Sequence, residues 1–558
     1  MLLSNLNLLA TAPDGVAKLR ELILTLAVRG KLVPQDPSDE PASVLLKKIR
    51  AEKDRLIAEG KIKRDKPLAE IAEEEKPFEL PQGWEWVRLP EIYYSISPSG
   101  SKLLSSAVGE EGDHPVVDQG QRPIAGYTND RSLLIEIPGP VIIFGDHTKA
   151  IKHIDFDFVA GADGTKILRP VLQDERFFAH QLRSFTLEDR GYARHFKVLN
   201  SHLFALPPLA EQSRIVTRVE ELMRLCDALQ DKARLEATQH AQLVATLLGT
   251  LTAASRAGAP DASASTPGEP ADPLHARWQR VAPHFDLLLD RPEAVDALEQ
   301  TILQLAVRGH LVPQDPQDEP ASALLKKIRA EKDKLIAEGK IKRNKPPLPI
   351  AKDELPFALP QGWEWVRMGA LGAAFDYGTS QKSIDDSSAV PVLRMGNIQA
   401  GRVVMKNLKY LVDREGDLPA LLLQKDDLLF NRTNSYDLVG KTGLFEGFHR
   451  EVTFASYLIR VKLMEGLVSP QYVDMYMNTR DCRVNEIEPD LTQQTGQANY
   501  NGTKLKSIRI PLPPFAEQFR IVTRVAQLRR LCADLRQRLT ASQSTQAHLA
   551  EALVQEVA

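Results

Sequence analysis

Cysteine is nearly absent from this chain: Cys226, Cys482 and Cys532 are the only three among 558 residues. Three, so widely spaced, exclude a disulfide framework and a cysteine-ligated zinc cluster. Long apolar runs are missing too. None approaches the roughly 20 residues of a membrane span, and the opening MLLSNLNLLATAPDG has no basic n-region or cleavage-type site, so a cytoplasmic location is expected and no membrane partner. A dominant charge is also lacking. With 71 Lys and Arg against 74 Asp and Glu, bulk charge does not announce a nucleic-acid partner, and any such reading must rest on local motifs. The length leaves room for several domains, each able to bury a core.

What the chain does contain is repetition. Residues 26–66 recur as 305–345 with five substitutions: Lys31 to His310, Ser38 to Gln317, Val44 to Ala323, Arg55 to Lys334 and Asp65 to Asn344. The offset of 279 holds through LPQGWEWVR, at Leu80 and again at Leu359. A second repeat, LPPLAEQSRIVTRVEEL from Leu206, returns as LPPFAEQFRIVTRVAQL from Leu512 at an offset of 306. Between the repeated blocks lie two inserts, Leu89 to Ala205 and Met368 to Pro511, which hardly resemble each other and differ in length by 27 residues. Near-identical frames around divergent inserts imply one task performed twice on two different targets.

Each frame reads as helix. In the block after Val33, Ser38, Asp39 and Glu40 precede Pro41, a residue favoured in a first turn, and Gly60 supplies a stop. Val44, Leu45, Ile49, Leu56 and Ile57 recur at helical spacing, with a Lys/Arg face expected to be solvated. In the second repeat, Ile215, Val219, Leu222, Cys226 and Leu229 step by 4, 3, 4, 3, as do Ile521, Val525, Leu528, Cys532 and Leu535. That is a coiled-coil-like seam, which predicts helix-on-helix packing and buried rather than reactive cysteines. Pro207-Pro208 and Pro513-Pro514 mark where each insert gives way to its helix.

These signals predict an α+β protein whose two mixed α/β globular domains are separated by long antiparallel coiled-coil-like helices about a pseudo-twofold. The expected segments are a helical region 1–88, an insert domain 89–206, a central helix 207–256, and a flexible linker 257–275 built on AGAPDASASTPGEPADP. A second helical region 276–367, a second insert domain 368–512 and a final helix 513–558 complete the order.

The inserts read as strand and loop. VIIFGDHTK (Val141 to Lys149) and DLLFNRTNSYDLVGKTGLF (Asp427 to Phe445) share a plan of apolar run and polar loop, so Phe144-Gly145-Asp146-His147 and Phe430-Asn431-Arg432-Thr433 are expected to be equivalent corners. Different side chains at equivalent loops suit a scaffold that reads different chemical patterns. Gln493, Gln494, Gln497, Asn499 and Asn501 form an amide-rich run near the end of the second insert; amides of this kind pair with adenine edges, though surface loops often carry them without that role. GSK at Gly100 to Lys102 and GTSQKS at Gly378 to Ser383 suit approach to a phosphate, with a plain turn as the alternative. The inserts hold 12 Lys/Arg against 15 Asp/Glu and 17 against 17, which argues weakly against DNA binding by bulk charge.

Catalytic readings fare poorly. Gly440-Lys441-Thr442 lacks the P-loop glycine five residues earlier, where Ser435 stands. Leu512-Pro513-Pro514-Phe515 lacks the amide or carboxylate that an adenine methyltransferase motif places first. Asp146, His147, Asp155, Asp157 and Asp163 are metal-ligating residue types close in sequence, but the second insert has Asn431, Arg432 and Thr433 at the matching corner. No catalytic residue and no metal site is therefore expected.

The frame motifs LRELILTLAVRGKLVPQDP, PASVLLKKIRAEK, LPQGWEWVRL and IPLPPFAEQFRIV, with VPVLRMGNI, DLLFNRTNS, GDHTK and GQANYNGTKLKSIRI in the inserts, closely resemble the specificity (S) subunits of type I restriction-modification systems. The resemblance covers nearly the whole chain. It implies two target-recognition domains, each reading one half of a split, asymmetric double-stranded DNA site, and helices that set the spacing and dock two methyltransferase (M) subunits, joined by two restriction (R) subunits. It implies no catalysis by this chain, with adenine methylation and ATP-dependent cleavage on the partners, and S-adenosylmethionine, ATP and Mg bound there. The competing reading is a coiled-coil adaptor whose inserts bind proteins.

Under the DNA reading, Asn431, Arg432, Asn434, Ser435 and Tyr436 form a base-reading loop, Lys382, Arg394 and Lys441 hold phosphates, and Gln497, Asn499, Asn501 and Lys504 form a second strip. In the first insert the matching candidates are Lys102, Asp146, His147, Thr148, Lys149, Thr165 and Lys166, with Arg194, His195 and Lys197 ahead of the helix.

Overall fold

The computed structural model describes residues 6–64, 67–97, 103, 105–161, 164–188, 194–252, 274–342, 349–399, 401–412, 416, 418–494 and 497–557. The chain divides into two units: Met1–Ala237 with Ser542–Ala558, and Thr238–Ala541. Both mix helix and sheet, so the α+β expectation holds. Among the described residues no helix is long and apolar enough to cross a membrane.

The first unit opens with helices α1 (Leu6–Thr11), α2 (Gly15–Val28) and α3 (Ala42–Ala58). Helix α2 stops at Gly30, whose φ of 65° is left-handed, while Lys31 N donates to Leu26 O at 2.9 Å. A Cβ there would lie 2.4 Å from Pro81 Cγ, so both the conformation and the space require glycine. In α3, Pro41 occupies the N-cap position, and Gly60 follows the helix at φ 69°. Asp39 does not cap α3; its carboxylate pairs instead with Arg214. Nor is the basic face wholly solvated: Lys53 is buried, its Nζ donating to Pro90 O at 2.8 Å and Tyr93 O at 3.0 Å.

The first insert runs through β1 (Glu85–Arg88), β2 (Tyr93–Ile96), β3 (His114–Val117), β4 (Gly126–Thr128), β5 (Leu134–Ile135), β6 (Val141–Gly145), β7 (Ile151–Ile154), β8 (Phe158–Ala160), β9 (Thr165–Pro170), α4 (Glu175–Ser184), α5 (Phe196–Leu199) and β10 (Leu203–Leu206). Antiparallel pairing of β1 with β10 closes it at its root, and the long helix α6 (Leu209–Thr252) follows, belonging to this unit as far as Ala237. One sheet runs β2-β9-β6-β7; the other runs β4-β3-β8-β5, with β3 and β8 parallel. Strand β6 is apolar throughout because both faces are covered. Ile142 and Phe144 join the core shared with the frame helices, while Val141 and Ile143 join a second core with Val117 and Phe158.

The second unit takes the rest of α6 and adds α7 (Leu274–Val281), α8 (Phe285–Leu288), α9 (Pro292–Val307) and α10 (Ala321–Ala337). The expected linker lies outside the described residues except for Leu274 and His275, which already open α7. The second insert contains β11 (Glu364–Arg367), α11 (Met368–Leu371), β12 (Gly372–Tyr377), β13 (Val390–Leu393), β14 (Ile398–Gln399), β15 (Arg402–Val403), β16 (Lys409–Leu411), α12 (Leu418–Leu421), β17 (Leu428–Asn431), β18 (Thr433–Asn434), β19 (Thr442–Leu444), β20 (Thr453–Phe454) and β21 (Leu458–Leu463). It continues with α13 (Pro470–Met477), α14 (Arg480–Cys482), β22 (Thr492–Gln494), β23 (Gln497–Asn499), α15 (Gly502–Ser507) and β24 (Arg509–Leu512), before helix α16 (Phe515–Val557).

Its topology repeats the first insert. Strand β11 pairs with β24 at the root, one sheet runs β12-β21-β17-β19, and the other runs β16-β13-β20 with β13 and β20 parallel. Strand β17 is again covered on both faces, with Leu428 and Phe430 in one core and Leu429 in another. Aligned on the corners Phe144 and Phe430 and on the N-caps Asp174 and Ser469, the 27 extra residues are spread along the insert: seven before the corner, nine between the corner and the N-cap, and eleven after it.

The frames grip both inserts with the same atoms. In α6, buried Glu211 accepts from Trp84 Nε1 at 2.9 Å and Gln35 Nε2 at 2.7 Å. In α16, Glu517 accepts from Trp363 Nε1 at 2.9 Å and Gln314 Nε2 at 3.3 Å. Burial pushes both carboxyls above the ordinary carboxylate range, against the pull of those donors. The next residue holds the insert: Gln212 Oε1 accepts from Asp174 N and Gln518 Oε1 from Ser469 N, each at 2.9 Å, at the N-caps of α4 and α13. The seam residues Ile215, Val219 and Cys226 pack with α2, and Ile521, Val525 and Cys532 with α9, so burial raises both thiols.

Candidate nucleic-acid interface

The two corners do occupy equivalent places, each leaving the strand that runs between two cores. Their side chains then differ. In the first insert, Lys149 N closes a turn onto Gly145 O at 2.8 Å with Lys149 at φ 60°. Asp146 is buried: its Oδ1 accepts from Phe196 N at 2.8 Å, and its backbone oxygen accepts from His195 N at 2.9 Å and lies 3.0 Å from His195 Nδ1. The Nδ1 atom therefore carries the proton. His195 and Thr165 are buried as well, Thr165 Oγ1 donating to Gly161 O at 3.0 Å. The structure thus places Asp146, Thr165 and His195 beneath the surface, where their polar atoms shape the loops, and not on a face that DNA could touch.

Above them lie half-buried His147 and exposed Thr148, steadied by Gln119: its Oε1 accepts from His147 N at 3.2 Å and its carbonyl from Thr148 Oγ1. Lys149 Nζ donates to Leu187 O at 3.1 Å. Lys166 Nζ lies 5.4 Å from the centre of the Phe196 ring and 3.7 Å from Asp146 Oδ2, so its charge is part-neutralised. Arg194 and Lys197 are exposed, and Lys102 lies outside the described residues. Asp118 and Gln119 after β3 went unnoticed in the sequence. Asp118 takes Lys152 Nζ at 3.3 Å, and no spacing pattern ties residue 118 to residue 152.

In the second insert Asn431 is buried, its backbone N donating to Lys441 O at 2.9 Å and its Oδ1 lacking a hydrogen-bond partner among the described residues. Strand β18 leaves this corner and pairs with β23, Thr433 Oγ1 donating to Asn499 Oδ1 at 2.7 Å. The reading loop and the amide-rich strip are therefore one small sheet, β18-β23-β22, presenting half-buried Asn434 and Asn499 and exposed Gln497. Ser435 and Tyr436 are exposed beside it, with the Arg483 guanidinium 5.5 Å over the Tyr436 ring.

Other candidates have structural duties. Asn501 Oδ1 caps α15 by accepting from Lys504 N at 2.9 Å, and Lys504 Nζ is turned inward to Asp490 O at 2.6 Å. Arg394 is half-buried and donates to Asn407 O at 3.2 Å. Lys382 is exposed and Lys441 half-buried. Gly378 is not a phosphate cradle: a Cβ there would lie 2.3 Å from Phe454 O, so the glycine serves close backbone approach. Thr442 is fully buried and donates to Asp474 Oδ1 at 2.8 Å, which leaves Gly440-Lys441-Thr442 no nucleotide role. Burial pushes the Asp474 carboxyl up to about 7, against the hydrogen bonds from Thr442 and Asn478 and the charge of Arg529. Among the described residues no group of three His, Cys, Asp or Glu is placed to hold a metal ion.

Residues 360–542 match the family model of the type I restriction modification DNA specificity domain. The chain is 36% identical over 570 residues to the specificity subunit of the type I restriction enzyme EcoEI of Escherichia coli, covering 97% of this chain and 93% of that one. It is 35% identical over 573 residues to the EcoAI specificity subunit of the same organism, with the same coverage. The crystal structure of the HsdS subunit from Thermoanaerobacter tengcongensis is 16% identical, covers 87% of this chain and 98% of that one, and aligns with a TM-score of 0.32. At this identity over almost its full length, the chain belongs to the family of type I restriction enzyme specificity subunits.

Proposed function

We propose that this chain is the DNA-reading subunit of a type I restriction-modification complex, with each insert recognising one half of a bipartite, asymmetric site. The observation that carries the reading is the pair of corners. One topology, held to identical frame residues, presents His147 and Thr148 with Lys166 at the corner of one insert and Arg432 and Asn434 at that of the other. A duplicated catalytic site would have kept its chemistry, whereas a duplicated reader must change it to read a second sequence. The exposed or half-buried His147, Thr148, Lys166, Arg194 and Lys197 form the candidate surface of the first reader. Arg432, Asn434, Ser435, Tyr436, Gln497 and Asn499 form that of the second, with Lys382 and Lys441 toward phosphates.

This reading gives the chain no catalytic step. Two methyltransferase subunits with S-adenosylmethionine would methylate adenine, and two restriction subunits with ATP and Mg would cleave. Near-neutral inserts fit such a division, because the partners would supply much of the non-specific attraction to DNA.

The test is to exchange residues 89–205 for the corresponding insert of a relative and to map methylated adenines in cells carrying the system. One half of the recognised site should change while the other half and the gap persist. A swap that alters both halves, or neither, overturns one reader per insert. Failure of the assembled complex to footprint any bipartite site would favour the protein-binding adaptor.

A further inference from the structure

Tyr377 was not among the residues the sequence singled out, yet it lies against the one arginine of the second corner. Strand β12 ends on it, in register with Ile459 of β21, which in turn faces Phe430 of β17. The ring is therefore set at the end of the same sheet from which Arg432 emerges. Its hydroxyl accepts from Gly502 N at 2.8 Å, so the ring is pinned at both ends while 47% of the residue stays exposed. The Arg432 guanidinium lies over it, Cζ 5.2 Å from the ring centre.

Arg432 is held without being neutralised. Its backbone N donates to Tyr457 O at 3.0 Å and its carbonyl accepts from Tyr500 N at 2.8 Å, which fixes the root of the side chain. At the tip, Nη1 reaches Ser456 O at 3.3 Å, while Nε is buried without a hydrogen-bond partner among the described residues. Other inner arginines of this insert pair with carboxylates: Arg460 with Asp376, Arg483 with Glu488 and Arg509 with Glu486. Among the described residues no carboxylate pairs with Arg432. An aromatic face and one carbonyl thus hold a charged, planar fork at a solvent-facing corner, an arrangement suited to an acceptor that arrives from outside.

Resting on the DNA reading proposed above, we infer that Tyr377 is a specificity-determining positioning residue: it orients Arg432 to read a G·C pair in the half-site of the second insert. The planar guanidinium matches the O6 and N7 acceptors of guanine, and discrimination depends on the fork being held in one plane. Among the described residues the first insert has no equal device, since Lys166 on Phe196 is a point charge shared with Asp146 and suits a phosphate better.

The test uses the full-length chain assembled with its partner subunits and selection from a pool of duplexes randomised across both half-sites. Wild type is compared with Arg432→Ala, Tyr377→Leu, Tyr377→Phe and Gly502→Ala. Arg432→Ala and Tyr377→Leu should relax the same single G·C position, each by tenfold or more, and the double variant should be no worse than Arg432→Ala alone. Non-specific affinity and salt dependence should stay at the wild-type level in Tyr377→Leu, because the charge remains. Tyr377→Phe should retain the preference, since the ring remains. Gly502→Ala places a Cβ 2.9 Å from the Tyr377 hydroxyl and should relax the same position partially without touching Arg432 directly. If Tyr377→Leu and Gly502→Ala keep the preference that Arg432→Ala loses, the positioning role is overturned while the DNA reading stands. If Arg432→Ala itself leaves every position unchanged, the inference and the role of Arg432 in the reading fall together.

Discussion

Replacing Glu517 by Ala tests whether the frame's buried carboxylate is what fastens the helical block to the long helix. Glu517 is 1% exposed and is the acceptor for Trp363 Nε1 at 2.9 Å, with Trp363 itself 5% exposed. Truncation leaves that indole N–H buried without a partner, at about 1–3 kcal/mol. It also removes one buried methylene, at about 0.8 kcal/mol. Against these stands the relief of a carboxylate whose ionisation burial already disfavours. The net loss should be about 2 kcal/mol, or roughly 4–8 °C in the melting of the second unit. Glu517→Gln keeps an acceptor for the indole and should cost no more than about 1 kcal/mol. Because Glu211 makes the same bonds, Glu211→Ala should lower the first unit's melting by a similar amount. Differential scanning calorimetry of the full chain reads both. An Ala variant within about 0.5 kcal/mol of wild type, or a Gln variant as damaging as Ala, would refute the reasoning.

Gln518→Ala should free the Ser469 amide and the Pro513 carbonyl, costing about 1–2 kcal/mol and speeding hydrogen exchange at the start of α13 without affecting β12. Lys332→Met should leave the Gly369 and Ala370 carbonyls without their ammonium donor and cost about 1–3 kcal/mol by chemical denaturation. Asp474, its folded value pushed up to about 7, binds more protons folded than unfolded between pH 4 and 7. Wild-type stability should therefore fall as pH rises through that window, by about 1–3 kcal/mol after allowance for solvent screening, and Asp474→Asn should flatten the slope; an unchanged slope would show that Asp474 is not the group responsible. Lys166→Ala should weaken binding to all duplexes and lower the salt slope by at most about one, because Asp146 already shares the charge; loss of preference at one base pair instead would make Lys166 a base reader.

Much of this architecture is legible in residue spacing because helix and strand periods are local. The 4-3 seam marks the faces of α6 and α16 that become buried, and Gly60 and its twin Gly339 mark real helix stops. VIIFG and LLFN carry the corners at equivalent strand ends because an unbroken apolar run is what a strand covered on both faces needs. The buried cysteines follow from the same periodicity. The basic face of α3 shows where that logic stops: period alone does not tell that the carbonyls of Pro90 and Tyr93 wait for Lys53, and a lysine in their reach is drawn inside.

Within the candidate site, the sequence by itself determined which segments carry polar side chains at the two corners, since composition and turn chemistry are properties of neighbours along the chain. Only the tertiary structure decided which of those side chains face outward. Asp146, Thr165, His195 and Asn431 share the polar character of Thr148 and Ser435, yet all four are buried: the Asp146 carboxylate takes Phe196 N, His195 Nδ1 turns to Asp146 O, and Thr165 Oγ1 turns to Gly161 O, because an unpaired buried N–H or C=O costs more than an exposed side chain gains. The same applies to Tyr377, 55 residues before Arg432 in the sequence and joined to it only through the pairing of β12, β21 and β17. Strand order is set by which apolar faces can be covered together, a property of the whole insert, and no local pattern around Tyr377 encodes it.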